Sequence, residues 1–446
     1  MPSSVLEKSI AAPEVSCKNS NTILDGDETV HNWYRFVLSF PPHLVRKYLE
    51  AFDIRQGHAV LDPFCGTGTT LVECRKRGIA SVGVEAHPLA ALASRVKTRW
   101  DLSPRELRKT LQTILRRAGT RMSKARLDSL SFTSALVREN SPRSSELTEE
   151  ETRLIPEGFL SQKPQRRLLI LREAVNWLTR DADSPVGDFF RLALCHVIAN
   201  GAGNFAFGPE IYRTKAKDDY DVMEHFSLHA SQMIHDLESL QTAHASFAPC
   251  KVLEGDARSL DGLEANCCQA VITSPPYPNE KDYTRITRVE SVLLGLISDR
   301  KQLRHVKQSL LRSNTRNVFV QDSDGEWVAH NPRVQSICQE IERRREKLGK
   351  TSGFERLYHR VVAHYFGGMA RHFAVLRAKL AARARCAYVV GDQLSFLLVP
   401  IPTASLLSGI AEEQGFRVIG CDLWRTRFGT KSGTRVREEI LILEKC

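Results

Sequence analysis

Short apolar runs and longer helical periods alternate along the chain in an order that outlines one α/β unit. "HAVLDPF" reads as a short strand, "CGTGTTLVECRKRG" as a glycine turn opening a helix, and "IASVGVEAH" as a second strand. That β-turn-α-β unit puts Gly66 and Gly68 at the carboxyl end of a strand and at a helix N-terminus. Before it, Pro42 opens a helix that ends near Gly57. After it the strand pattern stops for about 150 residues, and 105–126, 165–180, 186–200 and 219–241 carry helical spacing. Strands return in "CKVLEGDARSL" and "CCQAVITSPPY", and 285–350 is basic and mostly helical. A helix over 356–383, the strand "CAYVVGDQ", a helix over 404–414 and two closing strands, "GFRVIGCDLWRTRF" and "REEILILEK", complete the pattern. The pattern predicts one mostly parallel sheet, interrupted twice by helical material.

Composition narrows the class. The 446 residues carry 63 Lys and Arg against 52 Asp and Glu, a formal charge of +11 that suits a polyanionic partner. The 11 cysteines include no CxxC pair or Cys/His spacing of a zinc site, so they read as reduced thiols and no metal is expected. No stretch has signal-peptide or membrane-span character, which gives the expectation of a soluble cytoplasmic protein without a membrane partner.

Candidate chemistry gathers at the strand ends. "LDPFCGTGTT" lacks the Gly-Lys-Ser/Thr of a phosphate loop and the full GxGxxG of a dinucleotide fold. Alone it is consistent with an ordinary tight turn. Glu85 ends the next strand, where a carboxylate can accept two ribose hydroxyls, and Asp256 ends a third, where it can accept from an adenine amine. Capping of the following segment by Glu85 and an Asx turn at Asp256 are the alternative readings. Three acids, Asp62, Glu85 and Asp256, around one glycine turn favour a ligand site. In "VITSPPYPNE" two prolines stop an apolar strand abruptly and stiffen the corner after it.

On "DPFCGTGTT", "GVEAHPLA", "EGDAR" and "TSPPY", the chain resembles the S-adenosylmethionine-dependent amino-methyltransferases that modify exocyclic base amines in DNA. The resemblance covers roughly 31–100, 250–290 and 360–446, and "WYRFVLSFPP" is similar to the family's segment under the methionine moiety. It implies a Rossmann-like class I methyltransferase fold, a mostly parallel seven-stranded sheet with an antiparallel closing strand, carrying helical insertions. Its cofactor residues here would be Asp62, Pro63, Phe64, Gly66, Gly68, Thr69, Glu85, Asp256 and Ala257, with Asp62 also facing the sulfonium cation. Its catalytic residues would be Ser274, Pro275, Pro276 and Tyr277: the serine hydroxyl and Pro275 carbonyl accept from the target amine, and Tyr277 is a platform for a flipped base. Packing in the core is the alternative for Tyr277.

Serine at the head of the tetrapeptide points to cytosine N4 within that family, with adenine N6 in DNA, guanine N2 in transfer RNA, or a catalytically silent homologue as alternatives. Double-stranded DNA is the expected partner, RNA a lesser one, with room for a cognate restriction endonuclease and a monomer as the default state. The segments divide as 1–30, a flexible arm; 31–100, the cofactor half; 101–249, a helical insertion for target recognition; 250–290, the catalytic part; 291–355, a basic helical insertion; and 356–446, the last part of the sheet. Tyr283, Arg285 and Arg288 follow the tetrapeptide and are expected to line the path of the base. Eight basic residues from Arg105 to Arg126 and six from Arg300 to Arg316 suit either phosphate contacts or solvated helix faces. "GAGNFAFGPEIYRTK" reads as a loop that meets nucleic acid or covers the cofactor.

Overall fold

Alternation of two side-chain sets along parallel strands decides the layers. The structure is a computed structural model describing residues 21–125, 127, 146–177, 184–208, 210–244, 246–428 and 433–446; most of the expected N-terminal arm lies outside these. Strands β1 (Ala59–Asp62), β2 (Ala80–Glu85), β5 (Cys250–Glu254), β6 (Cys268–Thr273), β7 (Leu380–Gly391), β8 (Phe416–Phe428) and β9 (Arg435–Lys445) form one seven-stranded sheet; β3 (Phe205–Phe207) and β4 (Ile211–Arg213) form a separate hairpin. The sheet order is β5-β2-β1-β6-β7-β9-β8, parallel throughout except for β9, which runs antiparallel between β7 and β8. This is the mostly parallel sheet with one antiparallel closing strand that the class I resemblance implies.

Successive residues of the central strands point to opposite faces. Leu61, Val271, Tyr388 and Val390 join Val361, Phe366, Phe373 and Leu407 of the helices Tyr358–Lys379 and Thr403–Glu413. Val60, Ala270, Ile272, Ala387 and Val389 face Leu44, Val45, Tyr48 and Leu49 of the helix Pro42–Ala51. Burial on both faces is why these strands read as continuous apolar runs.

The first insertion is built onto the sheet domain. Its helices Pro104–Lys124, Gln162–Trp177, Pro185–Val197 and Val222–Ala243 share a core with Trp33, Tyr34 and the helix Pro88–Thr98. Within it, "GAGNFAFGPEIYRTK" is not a plain loop: a π-helical turn, Ile198–Ala202, leads into the β3–β4 hairpin. Strands of three residues are too short for a period of two to register. The strand ending in "CAYVVGDQ" also starts earlier than expected, at Leu380, so the preceding helix stops at Lys379. Cys268 pairs with Leu380 there, ahead of a bulge in the β6–β7 ladder.

Candidate active site

Topology brings four strand ends to one edge. The carboxyl ends of β1, β2, β5 and β6 lead into the glycine turn, Glu85, Asp256 and Ser274, and these surround a cavity of about 210 Å³. Ligands of open α/β sheets bind at this edge. Its wall includes the expected Pro63, Phe64, Gly66, Thr69, Glu85, Asp256, Ala257, Ser274, Pro275, Pro276, Tyr277 and Tyr283.

The glycine turn has the backbone the sequence implies. Gly66 has φ +52°, and a Cβ there would meet nothing within 4 Å, leaving open space over the turn. Gly68 has φ +86° and caps the helix Thr69–Lys76 from the left-handed region, which L side chains rarely adopt. Glu85 accepts from Gly66 N–H and His87 N–H, each at 2.8 Å, and burial pushes its carboxyl up to about 7. A carboxylate has about four lone-pair positions, so two bonds leave capacity for hydroxyl donors. His87 is held neutral by burial, with a pKa of about 4; its Nε2 meets Thr287 Oγ1 at 3.0 Å and its Nδ1 is buried without a partner among the described residues.

Residues 34–40 cross the mouth of the turn. Ser39 Oγ reaches Thr67 Oγ1 at 3.3 Å, and the Phe36 ring lies 5.7 Å from that of Tyr283. Phe64 packs edge-on to His372, whose ring nitrogens meet Ala257 O at 2.7 Å and Tyr388 Oη at 2.6 Å.

At the other end, the Ser274 hydroxyl donates to Val389 O of β7 at 3.2 Å. Burial drives the Tyr277 phenol well above its ordinary pKa, so it stays neutral, with Ser274 as a hydrogen-bond neighbour. A Cβ on Gly391 would come within 3.0 Å of the Tyr277 ring and 3.1 Å of Glu438 Cγ; the missing side chain makes room for both.

Some expected residues take other positions. Asp62 is fully buried and stands behind the cavity wall: it accepts from Thr273 Oγ1 at 2.6 Å and Phe64 N–H at 3.2 Å, and burial lifts its carboxyl to about 6. Gly68 is also set back from the wall. Asp256 reaches the cavity with its carboxylate already clamped by Arg258 Nε and Nη2, at 2.6–3.0 Å. Arg285 pairs with Glu210 of the insertion at 3.8 Å, and Arg288 donates to Thr284 O at 2.9 Å; neither lines the cavity.

Sequence reasoning missed Trp424, Arg425 and Glu438, which close the cavity from the β8–β9 side. Their placement is nonlocal, set by the pairing of β8 with β9. It also missed that Lys281 Nζ sits 5.0 Å over the Phe207 ring, which places the β3–β4 hairpin beside the loop after the tetrapeptide.

The cavity fits a nucleoside with a sulfonium tail: a hydroxyl acceptor in Glu85, aromatic walls and an open glycine turn. The DNA methylase family model matches residues 8–93. The type II methyltransferase M.BsoBI of Geobacillus stearothermophilus is 24% identical over 448 residues, 94% of this chain and 86% of that protein. M.AvaI of Nostoc sp. is 24% identical over 452 residues, 93% and 85% of the two chains. M.MjaII of Methanocaldococcus jannaschii is 39% identical over a 69-residue stretch, 15% of this chain and 13% of that one. Among solved structures, TrmN from Thermus thermophilus is 13% identical with a TM-score of 0.25, and the matched region covers 94% of this chain but only about half, 53%, of that one. The motifs at the strand ends and these relatives point the same way: the chain is similar to the amino-methyltransferase family of DNA methylases, whose members use S-adenosylmethionine.

Proposed function

We propose that the protein transfers a methyl group from S-adenosylmethionine to the exocyclic N4 amine of a cytosine turned out of a DNA duplex, at a specific sequence. The observation that carries this reading is the shared cavity: Ser274, Pro275 and Tyr277 line the same space as Glu85 and the turn at Gly66. Glu85 and Asp256, with residues 34–40, hold the nucleoside and methionine ends; bound there, the cofactor supplies an electrophilic methyl group. No side-chain base is required, because the amine proton can leave after transfer.

Orientation of the Ser274 hydroxyl supports its role. Its proton is directed at Val389 O, so toward the cavity the oxygen has only lone pairs to offer. It therefore serves as an acceptor for one amine N–H, with the Pro275 carbonyl for the other, and drawing both hydrogens out of the ring plane frees the nitrogen lone pair to attack. Tyr277, fixed over Gly391, supplies the face for the base.

The test is nucleoside mass spectrometry of DNA and transfer RNA incubated with the purified chain and labelled cofactor. N4-methylcytosine in DNA is expected. N6-methyladenine alone, N2-methylguanine in the RNA alone, or no methylated base would sink the reading.

A further inference from the structure

The β8–β9 ladder breaks register between Leu423 and Arg425: Leu423 pairs with Glu439 and Arg425 with Glu438. In an unbroken strand Leu423 and Arg425 would share a face. The extra residue turns Arg425 to the face of Glu438. Trp424 and Arg425, adjacent in sequence, thus both line the cavity, while Leu423 is exposed on the other side. Bulges beside active sites re-aim side chains in this way.

Arg425 arrives with one edge of its fork fixed. Its Nε donates to Glu438 Oε2, and its guanidinium lies 4.4 Å from the Trp424 ring centroid. Glu438 is buried and further held by Arg427 Nε at 3.0 Å. Both Arg425 and Glu438 sit close enough to Tyr277 to act on its phenol, one with each sign of charge. Among the described residues, no hydrogen bond uses Arg425 Nη1 or Nη2.

We propose that Arg425 determines the target base: its Nη donors meet the ring N3 and the C2 carbonyl of a cytosine whose amine lies at Ser274. This rests on the N4-cytosine reading above. From the amine, the base edge of cytosine continues with two acceptors, N3 and O2. That of adenine continues with one acceptor, N1, and then a C–H. A two-donor fork is satisfied by the first and left with a buried unpaired donor by the second. Sites built around such a bond reject analogues that lack its partner. Glu438 is the positioning residue that sets the angle of the fork.

The test uses the full chain on a duplex containing its mapped site, with the target cytosine intact or replaced by an analogue that keeps the amine and lacks the C2 carbonyl. Arg425→Met should lower kcat/KM on the cytosine duplex by about 10- to 100-fold, leave S-adenosylmethionine affinity unchanged, and lose little more on the analogue. Glu438→Gln should raise KM with a smaller effect on kcat. Wild-type activity in Arg425→Met, an equal further loss on the analogue, or lost cofactor binding would each overturn the assignment. A wild-type product of N6-methyladenine would instead overturn the cytosine reading beneath it.

Discussion

At the scale of single residues, the site sets its own chemistry through burial. Ser274→Ala removes one of the two proposed amine acceptors; we expect methyl transfer to fall by about 100-fold or more while cofactor still binds, as read by calorimetry beside a single-turnover assay. Glu85 gives a pH signature. Burial raises its carboxyl to about 7, so below that pH the empty site is protonated and cannot accept from two hydroxyls. Cofactor affinity should therefore rise with pH up to about 7 and level above it, and Glu85→Gln should flatten the profile at weak affinity. The same raised pKa acts on stability in the opposite sense. An acid that prefers its neutral form when folded favours folding at low pH, and that contribution is lost as pH climbs from 4.5 toward 7.

At the scale of elements, what could be read from the text was whatever is local. Gly66, Glu85 and the Ser274 corner each end a strand within a few residues of their own signal, and all three meet at one cavity. Arg258 could not be recognised as the partner that Asp256 and Asp324 share, because Asp324 lies 66 residues further on. Nor could Arg425, whose direction depends on a register break in a ladder with β9. β7 deserves a test of its own, since its Val389 carbonyl and bare Gly391 hold both ends of the tetrapeptide. Gly391→Val should push the Tyr277 ring aside, lowering kcat with cofactor affinity kept; unchanged kcat would refute the proposed seat for the ring.

At the scale of the molecule, the insertions are parts of the enzyme's body. Phe189 and Phe190 of the first insertion pack in one core with Leu89, Leu92 and Val96 of the sheet domain's own helix. Phe189→Ala should cost about 3–5 kcal/mol and lower a single unfolding transition seen by calorimetry; separate transitions would show the insertion folding alone. The charge of +11 bears on the partner. Duplex affinity should fall steeply with salt, and neutralising Arg300, Lys301 and Arg304 on the helix Arg300–Ser309 should reduce the slope by about one per lost phosphate contact. The second insertion packs Val328, Val334 and Ile341 into the core of the sheet domain, and one buried ion pair links it to the cavity wall. Arg258, clamped to Asp256 on the cavity wall, also donates to Asp324 Oδ2 at 2.5 Å, and Asp324 can sit that close only because Gly367 and Gly368 carry no side chain. Without Asp324, Arg258 keeps Asp256 as its carboxylate partner but loses the second anchor that fixes its direction. Anyone hoping to exchange this insertion with that of a relative must therefore keep an acid opposite Arg258: a chimera joined at 300 and 350 that lacks one would loosen the arginine that clamps Asp256 on the cavity wall.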